Sequence, residues 1–194
     1  MSPMSPVSPD MREPLLIATA LAWAAERLGA PVEVRTAESC TGGLLASWLT
    51  CLPGSSRWYA GGVVSYANDR KQAWLGVKAD DLARHGAVSK TVAEQMVLGL
   101  LADAQAAGQA ADLSKARPSA QLLRFGVAIT GVAGPGGGSP DKPVGTVWFA
   151  WGALDQPVLT QRCGLPGGRW QVQRQAARWA ASGLFGLMIR SSAR

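Results

Sequence analysis

The 194-residue sequence has a single histidine, His85, and only three cysteines and two tyrosines. One histidine makes a histidine-rich metal site unavailable. Cys40, Cys51 and Cys163 form an odd set without Cys-x-x-Cys spacing, which indicates neither a disulfide framework nor a zinc site. No apolar run approaches the ~20 residues that span a bilayer. Charged residues are sparse at 16%, yet the apolar fraction of 47% belongs to a compact globular chain and not a disordered one. One stretch mimics a secretory leader: Arg12, then Leu15 to Ala25, with Ala22-Trp23-Ala24 resembling a cleavage site. Against that, Ile17, Leu21, Ala24, Ala25 and Leu28 recur at helical spacing, and Gly29 stands where a C-cap belongs. The expectation is an amphipathic first helix in a cytoplasmic protein that does not associate with membranes.

Acidic residues are missing from the last fifth of the chain. Residues 1–155 hold 13 basic and 13 acidic side chains, whereas 156–194 hold six arginines (162, 169, 174, 178, 190, 194) and no carboxylate. The formal charge of +6 is therefore one local cluster. A basic surface can release counterions from nucleic-acid phosphates, but no stacking platform or recognition motif accompanies this one, and no nucleic-acid partner is expected.

The length suits one domain. Ser-Pro recurs at 2–3, 5–6 and 8–9, so residues 1–12 read as a disordered tail and 13–194 as a single domain. The patterning predicts helices over about 14–28, 69–75, 89–106 and 168–189, with another ending near Cys51. Strands are predicted at 32–36, 61–66 and 125–130, then an antiparallel hairpin at 144–151 and 158–162. Residues 105–121 read as a surface excursion. The eight tryptophans, mostly at helical or strand spacing, read as core. Strands interleaved with helices and followed by a hairpin imply an α/β sandwich with a mixed sheet.

Two strand-to-loop junctions carry possible chemistry. At the first, a strand delivers Glu38, Ser39 and Thr41 to a turn where Gly42-Gly43 opens a helix. Unpaired amides at a helix start hold an anion or an oxyanion, and a hydroxyl there is either a nucleophile or a helix cap. The second, Gly131 to Gly145, is too glycine-rich for an ordinary turn and lets backbone approach a ligand closely. It lacks the Gly-Lys-Ser/Thr of a phosphate loop and leads to a strand, unlike a dinucleotide fingerprint. A plain surface loop is its alternative reading.

A nucleophilic hydroxyl needs a base. Leu82-Ala83-Arg84-His85-Gly86 looks like a helix end, so His85 is better read as a capping residue than a catalytic one. That leaves lysine or tyrosine, and lysine serves when desolvation lowers its pKa. Lys71, just beyond the second strand, can sit at the same sheet edge as Ser39, and Lys142 lies in the glycine loop. Gly167-Gly168-Arg169 stands at a helix start, with Arg174 and Arg178 following. Together they fit one phosphate or carboxylate, or else form a solvated face.

These motifs together resemble the CinA C-terminal family of nicotinamide-nucleotide amidohydrolases. The resemblance rests on Thr36-Ala37-Glu38-Ser39-Cys40-Thr41-Gly42-Gly43, Tyr66-x-Asn68-x-x-Lys71, His85-Gly86-Ala87-Val88-Ser89, Gly134-Pro135-Gly136-Gly137-Gly138 and Lys142-Pro143-Val144-Gly145-Thr146-Val147. It covers about residues 14–190 in the family's order. It implies a three-layer α/β/α sandwich and hydrolysis of the carboxamide of nicotinamide mononucleotide to nicotinate mononucleotide and ammonia, a step in bacterial pyridine-nucleotide recycling. The family's catalytic serine and lysine fall on Ser39 and Lys71 and its tyrosine on Tyr66, with Thr41 an alternative nucleophile.

Substrate binding is expected from Glu38, Gly42, Gly43, Asn68, Gly134, Gly136, Gly137, Gly138, Lys142, Arg169 and Arg174. No metal or cofactor is called for. The expected partners are a small nucleotide and further copies of the chain, with a dimer favoured. Relatives often carry Asp where Gly168 stands, and many carry an amino-terminal molybdopterin-binding-like domain for which this sequence has no room. A non-catalytic module that binds pyridine nucleotides is the competing reading.

Overall fold

Alternation along the strands decides the architecture. The computed structural model describes residues 9–106, 122–154 and 156–192. Its first strand, β1 (Val32–Glu38), pairs in parallel with β2 (Tyr59–Val64) on one side and β3 (Leu123–Gly131) on the other. Strands β4 (Thr146–Ala153) and β5 (Leu159–Gly164) extend the sheet antiparallel, giving the order β2-β1-β3-β4-β5. One set of side chains, including Val34, Phe125, Val127, Ile129, Val147, Phe149 and Trp151, is buried with helices α1 (Pro9–Arg27), α2 (Leu44–Thr50) and α6 (Arg169–Ser191). The alternate set, Ala37, Ala128 and Ala150, packs against α3 (Asn68–Leu75), the neighbouring α4 (Ala79–His85) and α5 (Lys90–Ala106). Large side chains on one face and small ones on the other let α5 lie close to the sheet. The result is the expected α/β/α sandwich with a mixed sheet and a terminal hairpin.

Several boundaries differ from the sequence reading. The first helix begins at Pro9, so residues 9–12, expected in the tail, are helical. A proline in the first turn loses no hydrogen bond there. β1 runs two residues past Thr36, because Ala37 and Glu38 still pair with both neighbours. β2 starts at Tyr59 and not at Gly61, anchored by a 2.9 Å hydrogen bond between the Tyr59 and Thr36 hydroxyls. Gly62 is required beneath that pair: a Cβ there would lie 2.0 Å from Thr36 Oγ1. The excursion falls largely on residues 107–121, outside the described residues.

The tryptophan expectation is corrected. Trp48, Trp58 and Trp151 are buried, but Trp23, Trp74, Trp170 and Trp179 are 42–58% exposed. Helical periodicity cannot tell an inward indole from one lying flat on a helix surface. Trp23 stacks on Phe185 beneath the Arg27 guanidinium, and Arg70 covers Trp74.

Strand order places the site. From β1 the chain passes through α2 to β2 on one side, then returns through α3–α5 on the opposite face to β3 on the other. Where strand order reverses in this way, the helices diverge and leave a crevice at the carboxyl ends of the strands. Ser39 follows β1 there, and its N–H donates to Ile129 of β3 at 3.0 Å.

Candidate active site

The turn after β1 is held by one carboxylate. Glu38, 1% exposed, accepts hydrogen bonds from the N–H groups of Gly43 (3.1 Å), Leu45 (3.1 Å) and Ala46 (2.8 Å). A negative charge on the first amides of α2 complements the helix dipole and satisfies donors that have no intrahelical acceptor. Gly43 adopts φ 94°, which a residue with a Cβ resists, so the chain can swing from strand to helix within a few residues. Glu38, Gly42 and Gly43 therefore build the turn and do not line the cavity beside it.

Lys71 reaches that turn from α3. Its side chain is 1% exposed, and Nζ lies 3.0 Å from Ser39 Oγ, 2.6 Å from the Ser65 carbonyl and 3.3 Å from the Tyr66 carbonyl. Burial holds its pKa below the ordinary lysine value. The three neighbours fix what a neutral amine does. Two are carbonyl oxygens, which only accept, so the two N–H bonds point to them and the lone pair faces the Ser39 hydroxyl. Ser39 then donates to Lys71, the arrangement needed to draw a proton from a nucleophile. Cys40 is no rival: burial pushes its thiol up to about 12. Thr41, 3% exposed, has a buried hydroxyl without a hydrogen-bond partner among the described residues and does not line the cavity.

Beside this pair opens a cavity of about 270 Å³. Of the residues expected from sequence, Ser39, Lys71, Tyr66, Asn68, Gly134, Gly136, Gly137 and Arg169 line it. Arg169 crosses its mouth, donating to the Gly134 carbonyl at 2.8 Å and to the Tyr66 hydroxyl at 2.6 Å. Gly134 itself is restricted: its φ is 87°, and a Cβ would lie 2.6 Å from Val144 Cγ1.

The remaining expected residues stand elsewhere. Lys142 donates from Nζ to the His85 carbonyl, which ties the glycine loop to the end of α4. Gly138 packs on the backbone of Val144. Arg174 and Arg178 both engage Glu13 of α1, and burial of that carboxyl is outweighed by the two guanidiniums, which hold its pKa below the usual range. Arg174 is thus a helix–helix tie away from the cavity. Its helical phase explains this: five residues of an α-helix rotate by ~500°, which turns position 174 well away from position 169.

Ala87, Val88 and Thr130 also line the cavity and were missed by sequence reasoning, while Cys40, Gly131, Val132 and Ala133 lie in the two marked junctions but were not singled out as site residues. Thr130, at the end of β3, donates to the Ala87 carbonyl at 2.8 Å and so joins two walls. The signal for it was its place at the carboxyl end of a strand neighbouring β1. Gln173 was missed as well; its Nε2 donates to the Cys40 carbonyl at 2.8 Å. Four residues on from Arg169, it shares that residue's helix face.

Among the described residues no group of histidine, cysteine and carboxylate side chains could hold a metal. No helix among them is long and apolar enough to cross a membrane.

The chain is similar to known proteins over most of its length. The nicotinamide-nucleotide amidohydrolase PncC of Escherichia coli strain K12 is 40% identical over 159 residues, 82% of this chain and 86% of that protein. Its namesake from Pseudomonas putida is 46% identical over 155 residues, 80% and 86% of the two chains. A CinA-like protein of Mycolicibacterium gilvum is 48% identical over 147 residues, and this chain spans 30% of its length. Among solved structures, a CinA superfamily protein of Klebsiella pneumoniae superposes with a TM-score of 0.76 at 34% identity, covering 91% of this chain and 98% of that one. The family model for the CinA C-terminal domain matches residues 22–188, and the chain belongs to that family.

Proposed function

We propose that the chain is an amidohydrolase that converts the carboxamide of nicotinamide mononucleotide to a carboxylate and releases ammonia. The observation that carries this reading is the buried Lys71 Nζ at 3.0 Å from Ser39 Oγ, with the Ser65 and Tyr66 carbonyls as its other two partners. Relatives named for the same activity support the substrate class.

In the first step the Ser39 hydroxyl proton passes to Lys71 as Oγ attacks the carboxamide carbon. The carbonyl oxygen becomes an oxyanion. Among the described residues, the N–H groups of Cys40 and Thr41 are the donors of this turn with no acceptor, whereas those of Gly42, Gly43, Leu44, Leu45 and Ala46 are all engaged. Of these two residues Cys40 lines the cavity, so its N–H is the donor that would stabilise the charge. Losing one such donor costs ~3 kcal/mol of barrier.

As the intermediate collapses, the C–N bond breaks and Lys71 returns its proton to the departing nitrogen, giving ammonia and an acyl-serine. Water then adds to the ester and gives its proton to Lys71. The second intermediate expels Ser39 Oγ, which recovers that proton, and the carboxylic acid so formed leaves as the carboxylate after giving its own proton to water. Tyr66, held by Arg169, and the exposed amides of Gly136 and Gly137 would bind the ribose phosphate at the mouth. Asn68 borders the same space. Thr41 falls to second place as nucleophile, because it does not line the cavity.

The test is ammonia release by the purified protein from nicotinamide mononucleotide, with binding measured by calorimetry on the same sample. Turnover supports the amidohydrolase. Binding without ammonia would replace it with a non-catalytic nucleotide-binding module.

A further inference from the structure

We propose that the far half of α6 and strand β5 form a second binding site, one that takes a planar aromatic carboxylate. The proposal stands apart from the amidohydrolase reading. A cavity of about 360 Å³ opens between these two elements and shares no lining residue with the one beside Ser39. Arg190, on its wall, stands roughly 30 Å along α6 from Arg169 at the other cavity's mouth.

The cavity exists because α6 leaves the edge of the sheet uncovered. Leu159 and Gln161 are the register partners of Trp151 and Phe149, so their side chains share the face against which α6 packs. Trp151 and Phe149 are buried there, whereas Leu159 remains 42% exposed. Across the gap the helix presents Trp179, Gly183, Gly186 and Arg190, which recur at three- and four-residue steps and so share one face.

The two glycines differ in role. At Gly183 a Cβ would lie 2.2 Å from Cε2 of Trp151, so packing demands that glycine. The Trp151 indole is fixed above it, stacked on Phe149 and donating to the Ala180 carbonyl at 2.8 Å, and makes a rigid floor. Packing does not demand Gly186. The nearest atom to a Cβ there would be Arg190 Nη1 at 3.3 Å, the movable end of a side chain. A glycine inside a helix costs about 1 kcal/mol against alanine. What this one provides is open space and room for a guanidinium folded back along the helix.

The walls specify the ligand. The flat indoles of Trp151 and Trp179 favour a flat ring. Arg190 repels a cation and attracts an anion. Residues 156–192 contain no carboxylate, and none of the ion pairs among the described residues includes Arg190. One planar guanidinium, with no second cation on the wall, matches the single charge and paired oxygens of a carboxylate. Ser182 and Gln161 add a hydroxyl and an amide at the rim. Aromatic walls with a few polar groups, enclosing a few hundred Å³, characterise sites for small organic molecules.

The test titrates the isotope-labelled full chain with indole-3-acetate and with its neutral counterpart, indole-3-acetamide. The acid should move the indole N–H resonances of Trp151 and Trp179 saturably while the Ser39 amide stays in place. The neutral probe should bind at least about tenfold more weakly. Arg190→Gln should weaken the acid by about tenfold and leave the neutral probe unchanged, with the same melting temperature because Arg190 is exposed. Gly186→Leu, which fills the space, should abolish the saturable shifts without lowering the melting temperature, since leucine is the better helix former. Where that variant fails to fold, Arg190→Gln still decides. Equal affinity for acid and neutral probe, or acid binding that Arg190→Gln leaves unchanged, would overturn the carboxylate assignment. Absence of a saturable shift at either indole would remove the site. Sedimentation of the free protein as a dimer that Trp179→Ala dissociates would overturn the proposal by giving this face to a second copy of the chain.

Discussion

The two glycine-bearing loops that flank the cavity are built on opposite plans. The turn from Glu38 to Ala46 is buried and held by a single internal carboxylate, so its geometry is set before any ligand arrives. The loop from Gly131 to Gly145 is largely exposed; it has backbone bonds of its own between Val132 and Gly145 and between Ser139 and Lys142, and no carboxylate among the described residues holds it from within. It is tethered to its surroundings by Lys142 on the His85 carbonyl, Arg162 on the Asp141 carbonyl and Arg169 on the Gly134 carbonyl. Chemistry that depends on a lone pair facing one hydroxyl requires the first plan. Holding a ribose phosphate, which has many acceptable poses, is served by the second. Disturbing the first loop should therefore lower kcat and stability, whereas disturbing the second should raise KM.

The largest effect is expected for Lys71→Met, which keeps length and removes the base. Initial rates should show kcat lowered on the order of 10³-fold with binding retained, and near-normal kcat would remove Lys71 from the reaction. Next is Glu38→Gln. An amide cannot accept three N–H bonds with both ends, and losing charge-assisted bonds should cost about 2 kcal/mol in urea unfolding, together with a fall in kcat.

Arg169→Ala should raise KM by about tenfold, roughly 1.4 kcal/mol of binding, while Arg174→Ala should leave KM unchanged and cost about 1 kcal/mol of stability through the partly exposed tie to Glu13. Equal effects of the two on KM would erase the distinction between them. The smallest effect belongs to Gly168→Asp. Gly168 caps α6 with ordinary extended dihedrals, and a carboxylate there should stabilise the protein by about 0.5 kcal/mol.

pH separates the buried Lys71 from the helix–helix tie at Glu13. Lys71 must be neutral to act, and burial lowers its pKa, so kcat/KM should rise with pH and level off below the ordinary lysine value of 10.5. Between its lowered value and 10.5 the unfolded chain binds the extra proton, so stability should also rise with pH across that window. Glu13 acts in the other direction: with its pKa lowered, its contribution is present at neutral pH and is lost as pH falls through the folded value.

How legible each part was in the sequence follows the same divide. That Ser39 and Lys71 can meet was legible because strand patterning put both at one sheet edge, but preferring them to Thr41, Lys142 or a capping role came from the family resemblance. The glycine loop was visible by composition, but which residues tether it was not, since Lys142 and Arg162 act on backbone carbonyls and any cationic residue has the same appearance in sequence. Glu38 looked like a ligand-binding residue because its distinguishing feature, three amide donors, exists only after α2 folds over it. Arg174 was misplaced and Gln173 overlooked through one omission. The four-residue step from Arg169 identifies the residue sharing its face, and a charge count ignores helical phase.

The most direct test is ammonia release from nicotinamide mononucleotide by Ser39→Ala beside wild type, with folding verified by melting temperature. The account predicts turnover by wild type and a loss on the order of 10⁴-fold or more in the variant, the scale seen when an activated nucleophile is deleted. Wild-type activity in a folded Ser39→Ala protein would contradict it.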